Sequence, residues 1–158
     1  MIVEDNVLGV VEGVSGHTFE TRYDLFFTNR KIIAAIVLHP SDLADPYARA
    51  HGLQEMLIGG MLRIQEVKTL SKRIEEERRL GFKNKTCNEI LRGHWANIEI
   101  PSHMIASAHV SKGLFGAKLE FSARTSNGIC RRFTFQIPLR QFSKTKKLLN
   151  LALSKKTT

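Results

Sequence analysis

Hydrophobic positions crowd into two short arms around a polar knot in YDLFFTNRKIIAAIV, residues 23–37. The second arm, residues 32–38, is apolar at every position and rich in β-branched side chains. It is too short for an ordinary helix and stops at His39-Pro40, so it reads as a strand buried on both faces. The knot Thr28-Asn29-Arg30-Lys31 offers Asn29 for a left-handed conformation, which suits a tight hairpin. Upstream, residues 6–14 (NVLGVVEGV) read as a strand in which Gly9 and Gly13 mark a twist or bulge. Ser15-Gly16-His17 makes a turn, and residues 19–23 alternate apolar and polar.

The period then changes from two to three and four. Residues 47–80 contain no proline, and Leu53, Met56, Leu57, Met61, Ile64, Val67, Leu70 and Ile74 form the stripe of an amphipathic helix. Its polar face carries Arg63, Lys68, Lys72, Arg73, Glu75-Glu76-Glu77, Arg78 and Arg79, with Glu75 and Arg79 in the favourable i,i+4 order. Gly59-Gly60 weakens the middle, so the segment reads as one helix or as two joined there. Gly81 suits the C-cap. Thr86 and Glu89 match a capping box that opens a short helix over residues 87–92, closed by Gly93. Alternation returns at residues 97–101, 104–111, 118–123 and 129–137. A Gly-containing turn at residues 112–116 and Asn127-Gly128 supply two hairpin turns. Phe133, Phe135 and Ile137 share one face of the last strand, while Arg132, Thr134 and Gln136 share the solvent face. Pro138 opens a final helix with the stripe Leu139, Phe142, Leu149, Ala152 and Leu153. Seven strands, a helical segment after the third and a closing helix predict an α+β roll or partly open barrel.

Composition narrows this picture. A chain of 158 residues with 42% hydrophobic content suits one domain, residues 1–158. The acidic start MIVEDNV lacks the basic and apolar regions of a signal peptide, and no apolar run approaches the roughly 20 residues of a membrane span. A cytoplasmic protein is therefore expected, with Cys87 and Cys130 as free thiols. Net charge is +9, unevenly spread: the first fifty residues carry seven acids and four bases, the rest twenty bases and eight acids. A basic C-terminal half points to an anionic partner or to a solvated basic surface.

Within this order of elements, LFFTNRKIIAAIV is similar to the hairpin signature of bacterial pleckstrin-homology-like and GRAM-like domains. NIEIPSHMIASAHVSKGLFGAKLEF resembles their second signature: a strand ending in Ile-Pro, a hydroxyl-bearing residue, an Ile, then two strands around a Gly-containing turn. RRFTFQIPLRQF and the final helix resemble their closing strand and helix. The resemblance covers most of the chain outside residues 41–93, which it makes a helical insertion after the third strand. It implies about seven antiparallel strands in two nearly orthogonal sheets with a C-terminal capping helix. It also implies a mostly non-enzymatic binding or assembly module without a cofactor. The region EGVSGHTFETR departs from the lipid-binding members, which place Lys and Arg in and beside the first hairpin; here only Arg22 is basic.

Candidate chemistry is sparse. No P-loop, Gly-x-Ser-x-Gly or GxGxxG occurs, and adjacent strand residues such as Ser102 and His103 point to opposite faces, so no catalytic residue is assigned. His103 and His109 share a strand face but lie roughly 20 Å apart when extended, and no metal site is assigned. The best anion-binding candidates are Lys112 and Lys118, around the turn bearing Leu114 and Phe115, with Arg124, Arg131 and Arg132 around Asn127-Gly128. Together they form a cationic surface that holds phosphates while Leu114 and Phe115 enter a membrane interface; otherwise Phe115 packs under its turn and the bases are merely solvated. Nucleic-acid binding has the charge in its favour but lacks stacking aromatics, since Phe133 and Phe135 read as core. The long helix is a self-association candidate through Leu57, Met61, Ile64 and Val67, with a homo-oligomer or a protein partner as the outcome. The expected function is thus a binding or assembly module, with a nucleic acid or an anionic membrane as the alternative partner of the basic half.

Overall fold

The computed structural model describes residues 5–16, 21–43, 60–114, 116–124 and 127–154, with the backbone alone over 60–64. Seven strands run as β1 (Val7–Ser15), β2 (Arg22–Thr28), β3 (Lys31–Leu38), β4 (Ile98–Pro101), β5 (Ile105–Gly113), β6 (Gly116–Arg124) and β7 (Cys130–Ile137). Helices α1 (Gly60–Phe82) and α2 (Cys87–Arg92) lie between β3 and β4, and α3 (Phe142–Ser154) follows β7. No helix among the described residues is long and apolar enough to cross a membrane.

The strands are antiparallel in the order β4-β3-β2-β1-β7-β6-β5. The two sheets expected from the resemblance are joined into one. The join is narrow: among the described residues β1 and β7 pair at Ser15 and Gln136. It exists because β1 continues past a bulge at Gly13, whose φ of 66° is left-handed and suits glycine. Where β1 parts from β7, the Gln141 side chain stands in for a strand neighbour. Its Oε1 accepts from the Glu12 N–H at 3.1 Å and its Nε2 donates to the Glu12 carbonyl at 2.6 Å.

Alternation divides the side chains between two cores. Val11, Val14, Leu25, Phe27, Ile32, Ala34, Leu119, Phe121 and Phe135 face inward and are covered by Leu148, Leu149 and Ala152 of α3. The second core lies on the opposite face of β2 and β3, where Phe26, Ile33 and Ala35 meet Cys87 and Ile90 of α2, with Phe82 of α1 packed against them. The all-apolar third strand is explained by these two layers, since helices or sheet cover both its faces. Gly9 lets α3 approach closely; a Cβ there would stand 2.7 Å from Leu148 Cδ2.

The tight turn at residues 28–31 forms without a left-handed Asn29, because no described residue other than glycine has positive φ. Thr28 does that work. Its buried Oγ1 accepts from the Arg30 and Lys31 N–H groups at 3.2 and 2.9 Å and donates to the Lys31 carbonyl at 2.8 Å. Lys31 is also more than a turn residue: its ammonium ion-pairs with Glu99 at 2.9 Å and Asp5 at 3.0 Å. Burial opposes that charge, but the hydrogen bonds that Lys31 donates to Glu99 and Asp5, with their negative charges, outweigh it and raise the Lys31 pKa.

Helix α1 runs through Gly81 to Phe82, so Gly81 sits in the last turn rather than at the cap. The capping box is present at α2, where Thr86 and Glu89 satisfy each other's backbone N–H. The larger correction concerns the polar face of α1. Glu75 is buried and Arg79 half-buried. Arg79 donates to Asp24 of β2 from Nε at 2.8 Å and from Nη2 at 3.0 Å, and it pairs with Glu75 at 3.3 Å. Glu75 also takes Arg22 at 2.6 Å, and Asp24 accepts the Gly13 N–H at 2.8 Å. The helix docks on the sheet through this ion cluster, while the apolar Val67, Leu70 and Ile74 are only half-buried.

Candidate functional site

Helices cover the outer face of β2 and β3, but among the described residues the outer face of β5, β6 and β7 carries none. Its side chains follow from register. On β6, Ala117, Leu119, Phe121 and Ala123 are buried, so Lys118, Glu120, Ser122 and Arg124 point outward. Partners directly across an antiparallel pair share a face. The outer rows are therefore Ser111-Lys118-Gln136, His109-Glu120-Thr134 and Ser107-Ser122-Arg132, ending with Arg124 opposite Cys130. Ser107, His109, Glu120, Ser122, Cys130 and Arg132 line an open depression of about 480 Å³.

Its electrostatics are mixed but lean positive. Lys118 Nζ pairs with Glu120 Oε1 at 2.9 Å. That hydrogen bond, with the nearby charges of Lys118, Arg132 and His109, holds the Glu120 carboxyl below its usual range. Arg124 and Arg132 are diagonal neighbours, about 7–8 Å apart by sheet geometry. Neither is ion-paired among the described residues, so two guanidinium forks face outward beside hydroxyl donors. The Cys130 thiol donates to Ser122 Oγ at 3.5 Å. Among the described residues, no hydroxyl or thiol on this face is hydrogen-bonded to an imidazole. The arrangement can hold an anion, and it lacks the nucleophile–base contact of covalent catalysis.

The five expected cations do not form one surface. Lys118, Arg124 and Arg132 come together on the outer face. Lys112 lies opposite Ala117 and Arg131 opposite Ala123, which puts both on the core side. Lys112 there sits over the Phe142 ring of α3, 4.7 Å from its centroid. Leu114 is 94% exposed at the hairpin tip. Phe115 lies outside the described residues. Leu57, of the self-association candidates, also lies outside them; Met61 and Ile64 fall where the backbone alone is described, and Val67 is half-buried. His103 belongs to a helical turn before β5, so it does not share a strand face with the outward His109. Among the described residues no group of His, Cys, Asp or Glu is placed to hold a metal ion.

A second concavity, of about 620 Å³, opens between the outer face of β1 and β2 and the helices. Val10, Phe26, Phe82 and Ile90 line it, and the Asp24–Arg79 pair forms part of its wall. Sequence reasoning passed over Asp24, although a lone acid inside YDLFF is an available signal. It also passed over Trp95, which is 82% exposed in the turn before β4. No family model, curated protein or solved structure matches the chain.

Proposed function

We propose that the chain is a non-enzymatic binding module of pleckstrin-homology-like build, and that its ligand is a phosphate-bearing anion held on the outer face of β5–β7. The build is supported by seven antiparallel strands closed by a C-terminal helix. The single observation that carries the ligand is the pair of unpaired, outward guanidinium groups of Arg124 and Arg132 beside Ser107, Ser122 and His109. Two forks at that spacing match the oxygens of a phosphate or of neighbouring phosphates.

The test is binding at low salt to three probes: inorganic pyrophosphate, vesicles containing phosphatidylserine, and a single-stranded oligonucleotide. At least one binds, and binding weakens with added salt. The paired change Arg124→Glu and Arg132→Glu lowers that affinity by about tenfold or more, since each charge-assisted contact contributes roughly 1.5–3 kcal/mol. Lys112→Glu with Arg131→Glu, on the other face, has a clearly smaller effect. Equal losses in the two double variants would mean that only net charge matters and would defeat the site. Failure of all three probes to bind at low salt would defeat the function.

A further inference from the structure

The end of β3 and the turn before β4 bring three rings together on the surface. His39 follows β3, and His94-Trp95 follows α2. The Asn97 side chain locks the two segments together. Its Oδ1 accepts from the Ile36 N–H at 2.7 Å, and its Nδ2 donates to the Ile90 carbonyl at 2.7 Å. The turn is closed further by the Asn97 N–H donating to the His94 carbonyl at 3.1 Å. On this support His94 stacks against Trp95, with centroids 5.7 Å apart and planes 26° from parallel. His39 meets the Trp95 ring edge-on at 5.4 Å and lies 5.7 Å from His94.

Both imidazoles are oriented by their backbones. His94 Nδ1 accepts from the Ala96 N–H at 3.1 Å, while His39 Nδ1 lies 2.6 Å from the Ser41 hydroxyl and 3.2 Å from the Ser41 N–H. His94 therefore keeps Nε2 as its remaining polar atom, a donor in the neutral state. Burial, and then the Arg78 guanidinium, push the His94 pKa below its ordinary value and favour that state at neutral pH.

We infer that His39, His94 and Trp95 form a stacking platform for the bases of a single-stranded nucleic acid. Trp95 is 82% exposed, so its indole is held in place yet offers a free aromatic surface. Planar bases suit such a surface because stacking is tolerant of sequence and every base has a π-face. The adjoining cavity of about 650 Å³ has an apolar floor that includes Ile36, Ile74, Phe82 and Ile90, with Arg78 and Lys85 also in its lining. The acids beside it are already countered: Asp42 takes Arg78 through both oxygens at 2.7 and 2.8 Å, and Glu77 takes Arg73 at 3.0 Å. Lys85 is not ion-paired among the described residues and is left for a phosphate. The chain's net charge of +9 favours approach of a polyanion. None of these residues belongs to the β5–β7 face, so the inference stands apart from the anion site proposed there.

Trp95 is the one tryptophan in the chain, so its emission reports on this platform alone. Titration with unlabelled oligo(dT) at low salt is expected to quench it in a saturable way, and added salt moves the midpoint to higher concentration. Anisotropy of an end-labelled oligo(dT) gives the affinity of variants. Trp95→Ala weakens binding by about tenfold or more, whereas Trp95→Phe, which keeps a ring, retains most of it. The Arg124→Glu and Arg132→Glu variant still shows the quenching. Circular dichroism matching the parent confirms that each variant is folded. Unchanged Trp95 emission, or equal affinity in Trp95→Ala and the parent, would overturn the inference. So would a spectral shift on anionic vesicles with no response to oligonucleotide, which would assign the ring cluster to a membrane surface.

Discussion

Arg79 and Arg73 sit on the same helix, and each has a carboxylate partner, yet their surroundings differ. The Arg79 partner Asp24 is a side chain only 3% exposed, whereas Arg73 and Glu77 are both mostly in water. Arg79→Ala leaves the Asp24 charge buried, with the Gly13 N–H as its remaining hydrogen bond among the described residues. We expect a loss of about 3 kcal/mol in urea unfolding, the low end for breaking a buried pair, because the guanidinium itself is 28% exposed. Arg73→Ala is the control and should cost less than about 0.5 kcal/mol. A loss for Arg79→Ala no larger than the control would remove the ion cluster as the device that seats α1. Charged residues on an amphipathic stripe read as solvated, which is why this cluster stayed hidden in the sequence. Its trace was Asp24, an acid set among apolar strand positions where burial without a partner is costly.

The segments that flank α1 carry a pH dependence of their own. Burial opposes ionisation of Asp42, but hydrogen bonds from Arg78 and the His39 N–H hold its carboxyl below the usual 3.8. His94 titrates below the usual 6.5 because burial and Arg78 disfavour its cation. In both cases the unfolded chain binds a proton before the folded one does, so stability rises with pH across each window. From neutral pH downward, stability should first fall as pH drops through 6.5 to the lowered His94 value. It should fall again below 3.8, as Asp42 is protonated. His94→Gln should flatten the first fall and leave the second, measured by thermal unfolding from neutral pH down to about pH 3; an unchanged first fall would move its origin to another histidine. At this scale the alternation of β6 and β7 was legible, and so were the capping box of α2 and part of the stripe of α3, although Leu139 precedes that helix and is exposed and the buried Leu148 was missed. The grouping of the cations was not. Arg131 and Arg132 adjoin on a strand and must point to opposite faces, a parity that follows from their adjacency alone. Which face each takes depends on the register against β6, which local sequence does not state.

The molecule as a whole depends on a narrow join. Among the described residues one pairing, Ser15 with Gln136, links the four-stranded half to the three-stranded half. The rest of that seam is covered by side chains, with Gln141 bonded to both backbone groups of Glu12. Gln141→Ala should cost about 1 kcal/mol and speed hydrogen exchange at the Glu12 amide. The Gly13 amide, held by Asp24, should keep its protection. If both amides loosen together, the seam opens as one unit and Gln141 is not a local clasp. The number of strands and their succession along the chain were legible, from alternation in most of them and from the unbroken apolar run of β3. Their union into one sheet was not, because it rests on a single long-range pair. The ring cluster of His39, His94 and Trp95 was equally hidden, since turns bring those residues together and turns have no period. Helix α3 follows all seven strands in chain order, and its Leu148, Leu149 and Ala152 complete the inner core. During synthesis, then, the strands leave the ribosome with that face bare. The nascent chain cannot reach its final form until this helix has been translated, and a pause within it would leave an apolar face open to chaperones or to neighbouring chains.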